Sequence, residues 1–186
     1  MIGYALTGSF CMLKSSLAEL RKMVALGYDI QPVMSENAYS KDTKFFKASE
    51  LINEVESICS RGIIHTIEDA EPFGSKNPLE YLVISPCTGN TLAKIANGIT
   101  DTAVTMAAKA HLRCDRPLLI ALASNDAMSQ NLGNIAKLLT RKSVYFLPLS
   151  QDDPKGKPHS LVADFSLLYP TLEAALDGKQ YRKVFI

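Results

Sequence analysis

The chain has no tryptophan, only three histidines and four cysteines, and almost no excess of either charge: 20 Lys and Arg against 19 Asp and Glu leave +1. Each shortage excludes something. A balanced charge offers no electrostatic footprint for nucleic acid or a membrane surface. Cys11, Cys59, Cys87 and Cys114 are far apart, with no CxxC pair and no histidine at ligand spacing. Neither a disulfide framework nor a metal centre is expected, and a reducing cytoplasm is the compartment such thiols suit. His65, His111 and His159 are equally scattered. No apolar run is long enough to cross a bilayer. The opening MIGYALTGSF lacks a basic n-region and reads as a core strand rather than a signal peptide. Two nucleotide fingerprints are missing as well: Gly3 and Gly8 do not make GxGxxG, and no GxxxxGK[ST] occurs.

What is present is an alternation of short apolar runs and amphipathic stretches. With 186 residues and 47% hydrophobic content, a single domain over 1–186 with a sizeable core is expected. Ile2–Leu6 reads as the first strand. Met12–Leu26 follows as a helix with Leu13, Leu17, Leu20 and Val24 in one stripe, ended by Gly27. Ile30–Met34 predicts a second strand, Ala48–Ser60 a helix, and Ile63–Ile67 a weak third strand. Glu68–Pro78, polar with two prolines and a glycine, predicts a loop. Leu82–Ser85 reads as the central strand, stopping at Pro86, before a helix that ends at Gly98. Ala103–Leu112 (helix), Pro117–Ala123 (strand), Leu132–Leu139 (helix) and Val144–Leu147 (strand) continue the pattern. A charged loop, Gln151–Pro158, and a short helix, Leu172–Leu176, complete it. The order implies an α/β, Rossmann-like three-layer fold: right-handed βαβ units, a parallel sheet and helices on both faces.

Ligands in such sheets sit beyond the carboxyl ends of the strands. That rim would carry Thr7–Ser9, Met34–Asn37, Ser85–Thr91 and Ala123–Met128. The segment Tyr81–Thr102 is the most telling, because a buried strand there gives way to small hydroxyl and amide residues and then a helix N-terminus. Such an end presents unpaired N–H groups and favours anions. A plain strand-to-helix turn capped by Thr88 or Asn90 accounts for the same residues. Likewise Thr7-Gly8-Ser9 reads either as a turn with Ser9 as N-cap, or as a loop holding a phosphate through amides and a hydroxyl, without Lys or Arg. Cys87 and Cys11 are either activated thiols or small packing residues. Asp126 could act as a base or cap the next helix, and His159 reads as a surface residue.

Three segments together are similar to the homo-oligomeric flavin-containing Cys decarboxylases, a family of small FMN-binding flavoproteins. Thr7-Gly8-Ser9 resembles their phosphate-binding first loop. Pro86-Cys87-Thr88-Gly89-Asn90-Thr91 resembles their Pro-Ala-Ser/Thr-Ala-Asn-Thr motif. Pro117–Met128 (PLLIALASNDAM) resembles their Pro-Ala-Met-Asn segment, with Leu122 and Ser124 where Pro and Met are usual. The resemblance implies FMN as cofactor, with Gly8, Ser9 and Ser35 at the phosphate, and Ser85, Thr88, Asn90 and Thr91 along the ribityl and ring edge. Asn125 would lie against flavin or substrate, and Asn90, Asn125 and Asp126 are the catalytic candidates. The family's histidine in the loop before the central strand has no counterpart in Ile67–Pro78. CTGNT, ITDT, LASNDAM and QDDPKGKPHSLVADF resemble one branch of the family, from spore-forming bacteria. For that branch the resemblance implies a two-component oxidoreductase that aromatises a dihydropyridine dicarboxylate, with NADP supplied through the partner subunit. A homo-oligomer is also implied, with the Ala/Met-rich helix Ala103–Leu112 either at an interface or in the core. Lys94, Lys109, Arg113 and Arg116 are candidate clamps for the small dicarboxylate. A decarboxylase-like flavoprotein and a non-catalytic scaffold are the other readings.

Overall fold

The computed structural model describes residues 1–186. Five strands run parallel: β1 (Ile2–Leu6), β2 (Ile30–Met34), β3 (Tyr81–Thr88), β4 (Leu118–Ser124) and β5 (Val144–Phe146). Two short antiparallel strands, β6 (Leu149–Ser150) and β7 (Leu161–Ala163), extend the sheet, whose order is β2-β1-β3-β4-β7-β6. β5 pairs with the first half of β4 and β7 with its last two residues, so one edge of β4 is shared. β1, β3 and β4 are buried along almost their whole length, which is why they read as continuous apolar runs rather than alternating ones.

The helices are α1 (Leu13–Ala25), α2 (Glu36–Ser40), α3 (Ala48–Cys59), α4 (Ile67–Ala70), α5 (Gly89–Asn97), α6 (Ala103–Leu112), α7 (Leu132–Leu139) and α8 (Leu168–Leu176). α1 packs with α3 and α8, while α4 to α7 pack among themselves, giving a layer of helices on each side of the sheet. α1 buries Leu13, Leu17, Leu20 and Met23 on one stripe. α6 begins with a capping box between Thr102 and Thr105 and buries all but Met106 and Lys109. It is therefore a core helix, and its small residues serve close packing inside the chain. One continuous core of 51 residues joins both layers.

Four sequence expectations change. Ile63–Ile67 is not a strand: Ile64 makes a single parallel bridge to Val33, and Ile67 already starts α4, capped by Thr66. Glu68–Pro78 is not all loop, since α4 and a 3-10 turn over Glu71–Phe73 occupy its first half. β3 does not stop at Pro86. It continues through a cis Ser85–Pro86 peptide to Thr88, with a register shift against β4 between Ile84 and Cys87. The last helix starts at Leu168, four residues before the expected Leu172.

This topology fixes where a ligand can sit. β1 lies between β2, reached through α1 on one side, and β3 on the other. The chain reverses its direction across the sheet there, and the helices and loops after β1 and β3 diverge, opening a crevice at their C-terminal ends.

Candidate functional site at the sheet switch point

Buried hydroxyls hold the two central strands in place below the crevice. Thr7, fully buried, donates its hydroxyl to the Pro86 carbonyl (2.7 Å) and accepts from the Thr88 amide (3.0 Å). One turn deeper, Tyr4, Ser16 and Ser85 form a closed cluster. The Tyr4 hydroxyl lies 2.9 Å from the Ser16 carbonyl and 3.1 Å from Ser85 Oγ, and Ser16 Oγ donates to the Ser85 carbonyl at 2.5 Å. Burial pushes the Tyr4 phenol well above its usual range. Ser85, expected along the flavin edge, is fully buried in this cluster and faces away from the crevice. Its role is to tie β3 to β1 and α1, as buried hydroxyls require partners.

Above this brace the strand turns into α5. Thr88 is the N-cap: its Oγ1 accepts from the Thr91 amide (3.1 Å) and donates to Thr91 Oγ1 (3.0 Å). Thr91 borders the crevice, and its hydroxyl, which accepts from Thr88, keeps its own proton to donate. Gly89 follows, in close approach to the loop after β4. A Cβ built there would collide with Ser124 Oγ and lie 2.6 Å from Asn131 Nδ2 and 2.9 Å from Asp126 Oδ1. Only glycine lets the two segments meet. Those three side chains form a unit of their own, in which Ser124 and Asn131 both donate to Asp126 Oδ1, at 2.5 and 2.9 Å. The Ser124 bond, and then Asn131, hold the Asp126 carboxyl below the usual carboxylate range. Asp126 is therefore a weak base that braces the loop carrying Asn125.

The crevice has two connecting chambers, of about 530 and 230 Å³, which share Gly8, Thr88 and Asn90. The smaller has no hydrophobic residue and adds Ser35, Glu36, Asn37, Thr91, Lys94 and Thr102. The larger adds Ser9, Asn125 and Asp126, with Phe10, Met12, Phe45 and Val162 as apolar walls. Gly8, Ser9, Thr88, Asn90 and Asn125 thus surround one space. Ser9 makes no side-chain cap bond, so its hydroxyl is free. Ser35 caps α2, accepting from the Ala38 amide at 3.4 Å. Asn90 and Asn125 are exposed within the crevice.

Three expected cationic clamps are elsewhere. α6 starts at the crevice with Thr102 and runs away from it. At about 1.5 Å per residue, Lys109 and Arg113 lie roughly 10–15 Å down the helix. There they line a separate pocket with Arg141 at the opposite end of α5. Arg116 donates to the Gly74 carbonyl. Lys94 does reach the smaller chamber, but it is paired with Asp101 at 2.9 Å. Cys87 is fully buried and burial raises its thiol far above the ordinary range, so it is a packing residue, whereas exposed Cys11 lines the larger chamber. His159 is exposed, and His65 stacks on Tyr39 with ring centroids 3.9 Å apart. No group of three or more His, Cys, Asp or Glu side chains converges anywhere in the chain.

Sequence reasoning missed one position at the site. Lys157 is the only Lys or Arg on the larger chamber. It belongs to the charged loop Gln151–Pro158, and β7 brings that loop to the rim by pairing Val162 and Leu161 with Ala123 and Ser124. The three residues of β7 are too few to signal a strand.

A family model described as "Flavoprotein" matches residues 1–164. The chain belongs to the flavoprotein family. Within it, the B subunit of dipicolinate synthase from Bacillus subtilis (strain 168) is 38% identical over 185 residues, spanning 100% of this chain and 92% of that protein. A crystal structure of the B subunit of dipicolinate synthase from Bacillus halodurans C superposes with a TM-score of 0.91 at 43% identity, covering 100% of this chain and 95% of that one. The FMN-dependent cysteine decarboxylase SpaF shares the fold, with a TM-score of 0.69, 20% identity and 95% of each chain covered. These matches agree with the branch to which CTGNT, ITDT and LASNDAM point.

Proposed function

We propose that this chain is the FMN-binding component of a dipicolinate synthase. In this reading it acts with the A subunit of that synthase to convert a dihydrodipicolinate-type precursor to pyridine-2,6-dicarboxylate during sporulation, in the cytoplasm, as an oxidoreductase. The observation that carries the reading is the convergence of Gly8, Ser9, Asn90 and Asn125 on one crevice at the switch point. Its donor set fits a phosphorylated, flat ring system. A polar chamber floored by Gly8 and Ser35 suits the phosphate and ribityl chain, and the chamber walled by Phe10, Met12 and Val162 suits a ring.

Aromatising the precursor removes two hydrogens, one as a hydride equivalent and one as a proton, and FMN when bound supplies a two-electron acceptor. The chain's own part is to bind and orient. The backbone amide of Gly8 and the hydroxyls of Ser9 and Ser35 would hold the phosphate, while the Ser9 amide is spent on the Thr7 carbonyl at 2.8 Å. Thr88 and Asn90 would line the wall beside a bound ring, and the exposed Asn125 amide would be free to hydrogen-bond flavin or substrate. Asp126 fixes Asn125 through the loop rather than moving a proton. In this reading NADP is supplied through the partner subunit, with which the missing dinucleotide fingerprint agrees. A homo-oligomer is part of the proposal; Phe45, at the mouth of the crevice and 48% exposed, is a residue a second copy could cover.

The test is to purify the chain from FMN-replete cells and measure flavin absorption near about 450 nm. Turnover of the dihydro precursor by the reconstituted pair is then assayed with and without FMN. Bound flavin and FMN-dependent turnover are expected. Full turnover by the partner on its own would reduce this chain to a scaffold. The decarboxylase alternative is disfavoured because no histidine lines either chamber; CO₂ release from the precursor would revive it.

A further inference from the structure

A dicarboxylate needs a cation, and the larger chamber contains only one. Lys157 sits in a loop that is tightly organised for its position at the rim. The Gly156 amide donates to Asp153 Oδ1 and the Lys157 amide to the Asp153 carbonyl, both at 2.8 Å. Gln151 Nε2 closes the loop on the Pro158 carbonyl at 2.9 Å, and the Ser160 amide bonds the Lys157 carbonyl at 3.0 Å. The backbone at Lys157 is therefore fixed while its long side chain stays half exposed. Its ammonium is engaged by one group, Asp152, at 3.0 Å, and Asp152 also lines the chamber. An exposed ion pair of this kind contributes little to stability, so its carboxylate partner is exchangeable at small cost. The remaining acid on the wall, Asp126, is held in place through Oδ1 by Ser124 and Asn131 and makes no ion pair with Lys157.

We infer that Lys157 is the carboxylate anchor of the dicarboxylate substrate, held by Asp152 until a substrate carboxylate takes its place. This deepens the proposed function and rests on it for the identity of the ligand. The geometry supplies the rest: a single cation, mounted on a rigid loop, sharing one chamber with the exposed amide of Asn125. Ammonium–carboxylate bonds are charge-assisted and stronger than neutral ones, so Lys157 distinguishes an acid from a neutral heterocycle of the same shape. Asp152 keeps the ammonium at the chamber wall in its absence, and repels an anion that fails to displace it.

The experiment uses the full chain with and without FMN, and dipicolinate itself as the probe, with affinities from titration calorimetry. Lys157→Met should weaken dipicolinate binding by about tenfold or more, the scale of one lost charge-assisted bond, while FMN affinity changes less than about twofold. Lys157→Arg should restore most of the loss. Asp152→Asn should tighten dipicolinate, because the competing carboxylate is gone. Unchanged dipicolinate affinity in Lys157→Met, or no binding by the wild type, would overturn the inference. So would an Asp152→Asn variant that weakens binding as much as Lys157→Met. Loss of FMN rather than dipicolinate affinity in Lys157→Met would reassign Lys157 to the flavin phosphate. Failure of the wild type to bind FMN would instead refute the flavin reading, and leave the dipicolinate titration of the apo chain to judge Lys157 separately.

Discussion

Replacing Gly89 with alanine probes the join on which the crevice depends. The added methyl would collide with Ser124 Oγ and fall 2.6 Å from Asn131 Nδ2 and 2.9 Å from Asp126 Oδ1, all inside contact distance. None of the three can simply swing away, because Ser124 and Asn131 are both tied to the Asp126 carboxylate and both are buried. Either α5 shifts off the β4 loop or the Ser124–Asp126–Asn131 unit opens. Overpacking of this kind costs about 1–3 kcal/mol. Loss of a hydrogen bond to a charged group costs about 1.5–3 kcal/mol. One or the other must be borne, so a loss of about 2 kcal/mol is expected, which for a domain of this size lowers Tm by about 4–8 °C. The same shift displaces Asn90 relative to Asn125, and FMN affinity should fall severalfold, up to about tenfold, the scale of one lost neutral hydrogen bond. Differential scanning calorimetry and flavin titration read the two effects. The double variant Gly89→Ala/Ser124→Ala removes the nearest obstacle and should be no less stable than Gly89→Ala alone, a non-additive result for residues in contact. A Gly89→Ala protein with unchanged Tm and unchanged flavin affinity would refute the close-approach argument.

Asn90→Ala removes an exposed amide, so it should leave Tm within about 1 °C yet weaken FMN binding measurably by titration; equal affinity would remove Asn90 from the site. Thr7→Val deletes both the donor to Pro86 and the acceptor for Thr88 in a buried position, and should cost about 1–3 kcal/mol in denaturant unfolding. Thiol labelling should separate the cysteines. Cys11 reacts in the native chain and is protected by bound FMN, Cys87 reacts only on unfolding, and Cys59, whose thiol burial pushes up to about 11, reacts slowly. Burial also lowers His111 to about 4 from an ordinary 6.5. The unfolded chain then binds the extra proton between those values, so stability is full above about pH 6.5 and falls as pH drops toward 4, by at most about 3 kcal/mol. His111→Gln should flatten that part of the urea-unfolding profile against pH.

The fold was legible because the strands β1, β3 and β4 are buried on both faces, so their apolar runs stand out, and because the αL residue Gly98 and the Thr102 capping box punctuate the helices between them. The rim followed from strand polarity alone, which placed Gly8, Asn90 and Asn125 near one another without any knowledge of side-chain direction. What could not be read depended on tertiary contact. Ser85 turns inward along β3, and its partners Tyr4 and Ser16 are distant in sequence. Lys109 and Arg113 looked close to the rim in sequence, but the helix carries them away from it. Lys157 looked remote, yet a three-residue antiparallel strand returns it to the crevice. Ile63–Ile67 had strand-like residues but only one bridge to make, and Thr66 capped a helix instead.

If amides and small hydroxyls at the β1/β3 switch hold a flavin, they do so by its phosphate as well as its ring. Titrating FMN and riboflavin against the purified full chain separates the two grips. Flavin emission, excited in the visible band, is the signal. Saturable quenching by FMN is expected, with riboflavin bound about tenfold or more weakly for want of the charged phosphate. Equal affinity for the two, or no quenching by either, would contradict the assignment of the crevice to FMN.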